Sequence, residues 1–285
     1  MIYTECTFDK HVGDDKSMAE QWFKDEDLKK RKKLEELFYA WKEQIKTKGK
    51  IQFKDDGRFY PAIDYFVTDG FYPGYFKENN IKVLFIGREA RDFGDRVILD
   101  LDWFGKYSPN PLPYWRRILY LVYGIKTNGQ KKFYEIPYAN KILKEMQDNN
   151  NFGFAIMNIS KYGNGSITGG RSNFNLINQF LRDSELDKRN FITEEIELLE
   201  PDIIITANLW DGKINTNELN KIFNPKNKKK LSYKRGIANL YDYKLNNNKT
   251  IKLIDLYHFS KPGSDQKLFY DPVMELLNKI KYFNL

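Results

Sequence analysis

Four short apolar runs constrain this chain more than any other feature: "IKVLFIG" at 81–87, "FGFAIMNIS" at 152–160, "PDIIITAN" at 201–208 and "IKLIDLYH" at 251–258. Each is almost continuously apolar, is rich in β-branched residues and ends on small or polar ones. This is the pattern of strands buried on both faces of a parallel sheet. Helical periodicity fills the intervals, in "YWRRILYLVYGI" and "YANKILKEMQ" after the first run and in "NFNLINQFLRD" and "NFITEEIELLE" after the second. Alternating β and α elements predict an α/β fold of three αβα layers. Its four-stranded parallel sheet is expected near 82–86, 153–158, 202–207 and 251–256, joined by right-handed crossovers.

Upstream of the first run, residues 18–46 repeat Leu34, Leu37, Phe38, Trp41 and Ile45 at helical spacing among charges, which predicts an amphipathic helix whose "KKRKK" lies on the solvated side. The expected organisation is an N-terminal helical extension over 1–80 packed on one globular unit over 81–285. The Asn-rich stretches "QDNNN", "FNPKNKKK" and "LNNNKT" read as surface connections.

Composition narrows the function. Hydrophobic residues at 41% and aromatics at 16% exclude a disordered chain. Cys6 is the only cysteine, which excludes a disulfide framework, a cysteine-ligated iron–sulfur cluster and a cysteine-built structural zinc; no cofactor or metal is expected. Lys and Arg number 47 against 39 Asp and Glu, a net charge of +8, which favours a polyanion such as DNA as partner. The opening "MIYTECTFDKHVGDD" lacks the apolar stretch of a signal peptide, and no run approaches the roughly 18 apolar residues of a membrane span. The expectation is a cytoplasmic, nucleoid-associated monomer of bacterial or phage-related origin, with no membrane contact and no obligate protein partner.

Ligands of parallel sheets bind beyond the carboxyl ends of the strands, where "GREARD", "NISKYGNGS", "ANLW" and "HFSKPGS" fall. A Gly followed two residues later by an acid (Gly87, Glu89), an Asn at the end of the second strand (Asn158) and His258-Phe259-Ser260 after the last strand resemble, in order and type, the uracil-DNA glycosylase superfamily. The likeness runs from about Ile81 to Pro272. It implies a DNA glycosylase that flips an altered pyrimidine out of DNA and hydrolyses its N-glycosidic bond. In this reading Glu89 orients the attacking water and stabilises the sugar cation, His258 donates to the departing base, and Asn158 reads the base edge. Ser260, the following backbone amides, Lys261, Lys161 and Arg171 hold phosphates. These types suit the chemistry, because the sugar becomes positive and the base negative as the bond breaks, and an Asn amide matches the edge of an extruded pyrimidine.

The chain departs from the superfamily pattern in three places. Ala90 and Phe259 stand where Pro is usual. Arg91 stands near the position where strict uracil enzymes close the pocket with Tyr, which implies a pocket open to a carbon-5 substituent, as in a hydroxymethylated or glycosylated cytosine, with "KYGNGSITGGR" shaping it. Phe93 is the expected stacking platform for the base, with Trp103, Phe104 and Trp115 as competitors. Two other readings stay open: a magnesium-dependent nuclease or phosphohydrolase using Asp92, Asp95, Asp100 and Asp102, and a non-catalytic nucleic-acid-binding module.

Overall fold

A computed structural model describes residues 25–52, 57–90, 108–149, 153–163, 172–186, 189–223 and 231–284. The expected apolar runs form β4 (Val83–Glu89), β5 (Ala155–Ser160), β8 (Ile203–Ala207) and β11 (Thr250–Leu256). They lie side by side in the order β5-β4-β8-β11, all parallel.

The sheet is wider than the four strands expected. Among the described residues it has seven, because β3 (Gly70–Phe71) adds antiparallel to β5, and β10 (Ala238–Lys244) and β9 (Leu231–Tyr233) add antiparallel beyond β11. These edge strands escape a search for continuous apolar runs. β3 is two residues long, and β10 alternates buried Ala238 and Leu240 with half-buried Asn239 and Tyr241, since an edge region has one wetter face. Two small hairpins, β1 (Lys50–Gln52) with β2 (Phe59–Pro61) and β6 (Glu185–Leu186) with β7 (Arg189–Asn190), lie outside this sheet.

Helices cover both faces. The period-2 alternation of β4 sends Leu84 and Ile86 to one side and Val83 and Phe85 to the other. The first side is covered by α1 (Asp25–Lys46), α4 (Phe174–Asp183), α5 (Phe191–Leu199) and α6 (Thr216–Phe223). The second is covered by α2 (Pro113–Lys126), α3 (Ala139–Asn149) and α7 (Asp271–Lys279). The five apolar residues expected on the N-terminal helix are all buried. Trp41 stacks on Phe191 at 5.5 Å and meets Phe66 edge-on at 5.5 Å, which docks α1 onto the sheet's first face.

Local chemistry sets where these helices begin and end. Pro113 opens α2, where its missing N–H costs nothing. Asn173 and Asn190 cap α4 and α5 by accepting from Leu176 and Thr193 N–H groups. α5 ends on Glu200 in the left-handed region (φ +48°), just before Pro201 starts the approach to β8.

Candidate active site at the carboxyl ends of the parallel strands

The first and third strands in sequence, β4 and β8, are neighbours, and the chain leaves them in opposite directions: from β4 towards β5 and from β8 towards β11. Such a switch point opens a crevice at the carboxyl ends of the strands. Glu89 ends β4, Asn158 and Ser160 lie at the end of β5, and His258 follows β11 by two residues. In register, Gly87 lies opposite Asn158 and Glu89 opposite Ser160. By strand alternation Phe85, Gly87 and Glu89 share the face that α2 covers.

Gly87 is required by the approach of Asn158. A Cβ at Gly87 would sit 2.5 Å from Asn158 Oδ1 and 3.5 Å from the Tyr114 hydroxyl. The glycine of the first motif thus makes room for the amide of the second. Tyr114 enters from the first turn of α2, 6.2 Å from the His258 ring and edge-on to Phe259 at 5.6 Å. It bridges Asn158 and His258. Burial, then the nearby Asp69 carboxylate, raises its hydroxyl pKa. Tyr114 was not among the expected site residues, although an aromatic just after the Pro that opens the helix following the first motif is a readable signal. Trp115, a named competitor for the base platform, packs edge-on against Tyr114 at 5.3 Å.

Glu89 is buried, and its Oε2 accepts the N–H of Asn173 (3.1 Å), the cap of α4. Its carboxylate therefore sits at the positive end of a helix. The Asn158 backbone N–H donates to Asp69 Oδ2 (2.5 Å) and its side-chain Nδ2 to Asp69 Oδ1 (3.1 Å).

His258 carries a geometric assignment of its tautomer. The Ser260 N–H donates to His258 Nδ1 (3.2 Å). A ring nitrogen that accepts carries no proton, so in the neutral ring the proton is on Nε2, which makes Nε2 a donor. The Lys261 N–H also turns back, onto the His258 carbonyl (2.8 Å). This corrects one expectation: the amides of Ser260 and Lys261 are committed to His258 and do not cradle a phosphate. What remains outward are the exposed side chains of Ser260 and Lys261, the latter with its Nζ 4.2 Å from the Tyr257 ring.

The loop is held from beneath by one guanidinium. Buried Arg117 donates through Nη1 to the carbonyls of Phe259 and Lys261 (2.7 Å to the latter), through Nη2 to Gly263 (3.0 Å), and through Nε to Asp265 (2.7 Å). Gly263 has φ +136°, and a Cβ there would lie 2.5 Å from Leu268, so both backbone and space demand glycine.

Lys161 contradicts its expected role. It is fully buried, paired with Asp69 and with Glu195 (2.7 Å), and cannot reach a phosphate. Its position just past β5 places it at the strand ends, but its side chain turns inward to α5 and the segment before β3. Arg91, Phe93 and Arg171 lie outside the described residues, as do Trp103, Phe104 and the four aspartates of the nuclease reading. Among the described residues no group of three or more His, Cys, Asp or Glu is arranged to hold a metal ion, and no helix is long and apolar enough to cross a membrane.

The turn after β8 is pinned from two sides. Arg88 Nη2 donates to the Asn208 carbonyl and to Asp211 (both 2.7 Å), and Asp255 Oδ1 accepts from Thr206 Oγ1 (2.6 Å) and the Leu209 N–H (3.0 Å). Burial raises the Asp255 pKa to about 6, partly opposed by those hydrogen bonds. A carboxyl raised in the folded state binds more protons there than when unfolded. Stability therefore falls as pH rises from about 4 to about 6, by about 3 kcal/mol for a shift of this size. Asp255→Asn keeps an acceptor for Thr206 and Leu209 and removes the titration. It is expected to raise Tm at pH 7.5 more than at pH 4; calorimetry showing an equal change at both would exclude titration of Asp255 in this window.

Compared with known proteins, the chain matches no protein-family model and no curated sequence.

Proposed function

We propose that this protein is a DNA glycosylase of the uracil-DNA glycosylase type. It extrudes an altered pyrimidine, uracil or a 5-substituted or glycosylated cytosine, and hydrolyses its N-glycosidic bond to leave an abasic site, in repair or in defence against phage. The observation that carries this reading is the His258 tautomer: Nδ1 accepts from the Ser260 N–H, so the neutral ring offers Nε2–H as a donor. It does so at the sheet end that also holds Glu89 and the Asn158 amide.

In the proposed reaction the bond between sugar C1′ and the base nitrogen breaks with its electron pair leaving on the base. The negative charge that develops on the base oxygen meets the His258 Nε2–H donor, and the positive charge on the sugar meets the Glu89 carboxylate. Water adds to C1′ and gives up a proton with Glu89 as base, while the departing base takes up a proton from solvent. Asn158 reads the extruded base by hydrogen bonds, and Tyr114, on the first turn of α2, supplies an aromatic wall between Asn158 and His258.

The direct test is incubation with duplexes carrying uracil, a thymine mismatch or a bulky 5-modified cytosine, followed by detection of abasic sites. No abasic product from any of them refutes the proposal.

DNA binding in this reading draws on the net charge of +8 and on exposed Lys261. Affinity is expected to fall steeply with salt, and Lys261→Ala to weaken binding about equally on all sequences while lowering the slope of log K against log salt by about 1. A titration from low to moderate salt checks this, and a flat response would remove DNA as the partner.

A further inference from the structure

The Asn158 amide has one end tied and one end presented. Its Nδ2 donates to Asp69 Oδ1 while its backbone N–H donates to Asp69 Oδ2, so a single carboxylate grips the residue twice. Asp69 is itself buried and is held from behind by fully buried Lys161, which also pairs with Glu195. A carboxylate in this state accepts and cannot donate. It therefore fixes Nδ2, and not Oδ1, on its own side. Oδ1 is correspondingly turned over Gly87, the residue whose missing Cβ makes room for it.

We propose that Asp69 is a positioning residue that sets which hydrogen-bonding edge Asn158 presents, and thereby which pyrimidine class the site accepts. The inference rests on the glycosylase reading above. Asp69 immediately precedes β3, on the outer side of β5, whereas Gly87 lies on β4, on the side towards β11 and His258. The amide thus turns its acceptor towards His258 and its donor away. Around a pyrimidine ring the order is O2, N3, then the group at carbon 4. With O2 at the His258 donor, N3 falls nearest Oδ1 and the carbon-4 group nearest the second Nδ2 hydrogen. This arrangement accepts a ring with N3–H and a carbonyl at carbon 4, and it opposes acceptor to acceptor when N3 is unprotonated, as in cytosine. The carbon-5 substituent is not selected by this device. Among 5-substituted pyrimidines it favours dioxo rings over amino rings.

The test compares single-turnover excision of uracil and cytosine, each with and without the same carbon-5 substituent, in matched unpaired contexts. Wild type is expected to favour the dioxo ring. Asp69→Asn, whose amide can donate to Asn158 Oδ1 and so permits the flipped orientation, is expected to narrow that preference about tenfold or more. Glu195→Gln alters the buried charge without touching the Asn158 amide and is expected to leave the preference intact, which separates edge selection from general destabilisation. Should Asp69→Asn fail to fold, the wild-type protein decides by NMR: the Asn158 side-chain amide, assigned by its loss in Asn158→Gln, is expected to show one slowly exchanging proton. Cleavage by wild type with a preference for the amino ring, an unchanged preference in Asp69→Asn, or two rapidly exchanging Asn158 side-chain protons overturns the inference and leaves the glycosylase reading standing. Absence of cleavage by wild type on every substrate overturns that reading, and this inference with it.

Discussion

Glu89→Gln is expected to slow single-turnover base excision by about 10²–10³-fold while changing DNA affinity little, and His258→Ala to do the same. The reason is when each group acts. Before the bond breaks, the sugar and base carry little net charge, so a carboxylate near one and an N–H donor near the other contribute modestly to binding. As the bond breaks, both charges develop, and the two groups meet them in a site where Glu89 is already oriented by the Asn173 N–H and His258 by the Ser260 N–H. Gln keeps the size of Glu and its ability to accept from Asn173, so the substitution isolates the charge. Rapid-quench measurement of abasic sites alongside an affinity titration distinguishes the outcomes. If both variants excise at the wild-type rate, these two assignments are wrong. If both lose binding in proportion to rate, the residues serve the loop structure instead.

The second large effect concerns stability. Lys161→Met is expected to cost about 3–5 kcal/mol, because it leaves Asp69 and Glu195 buried without their cation. Against a total stability of about 5–15 kcal/mol for a typical domain, that is a large fraction. The loss is expected to ease in acid. Burial already raises Glu195 to about 7 with Lys161 present, the cation opposing that rise, so removing the cation pushes the carboxyl further up. A carboxyl with a raised folded pKa favours the native state when protonated, so the variant gains stability relative to wild type as pH falls towards and below the ordinary carboxylate range. Chemical denaturation at pH 5 and pH 8 checks both size and sign. A surface lysine that touched DNA would behave oppositely, with unchanged stability and reduced affinity at low salt.

The buried position of Lys161 illustrates a limit of linear reading. In "NISKYGNGS" the lysine stands beside Ser160 at a strand end, where a basic residue normally reaches into solvent. Its partners are Asp69, 92 positions upstream, and Glu195, 34 positions downstream. Nothing in the local pattern announces that two distant acids will converge on it. The grip of Asp69 on Asn158 spans 89 positions, and that of Arg117 on the loop after His258 spans more than 140. Tyr114 differs: its place at the start of the helix after the first motif was readable, but one aromatic among 45 Phe, Tyr and Trp residues carries little signal by itself.

What the sequence by itself determined is what short-range periodicity encodes: four strands buried on both faces, the helices between them, and the polar residues Glu89, Asn158 and His258 at the strand ends. A strand buried on both faces must be apolar along its length, and the residue where apolarity stops is where the chain meets the crevice. The tertiary structure alone decided the order β5-β4-β8-β11, the edge strands β3, β9 and β10, and the network of Asp69, Lys161, Glu195 and Arg117 that orients the site. Strand order depends on which distant segments pair, and the partner of a buried charge is whatever the completed fold brings within hydrogen-bonding reach. A buried charge left alone is costly enough that the fold must supply a partner, but the energy is indifferent to where in the chain that partner lies.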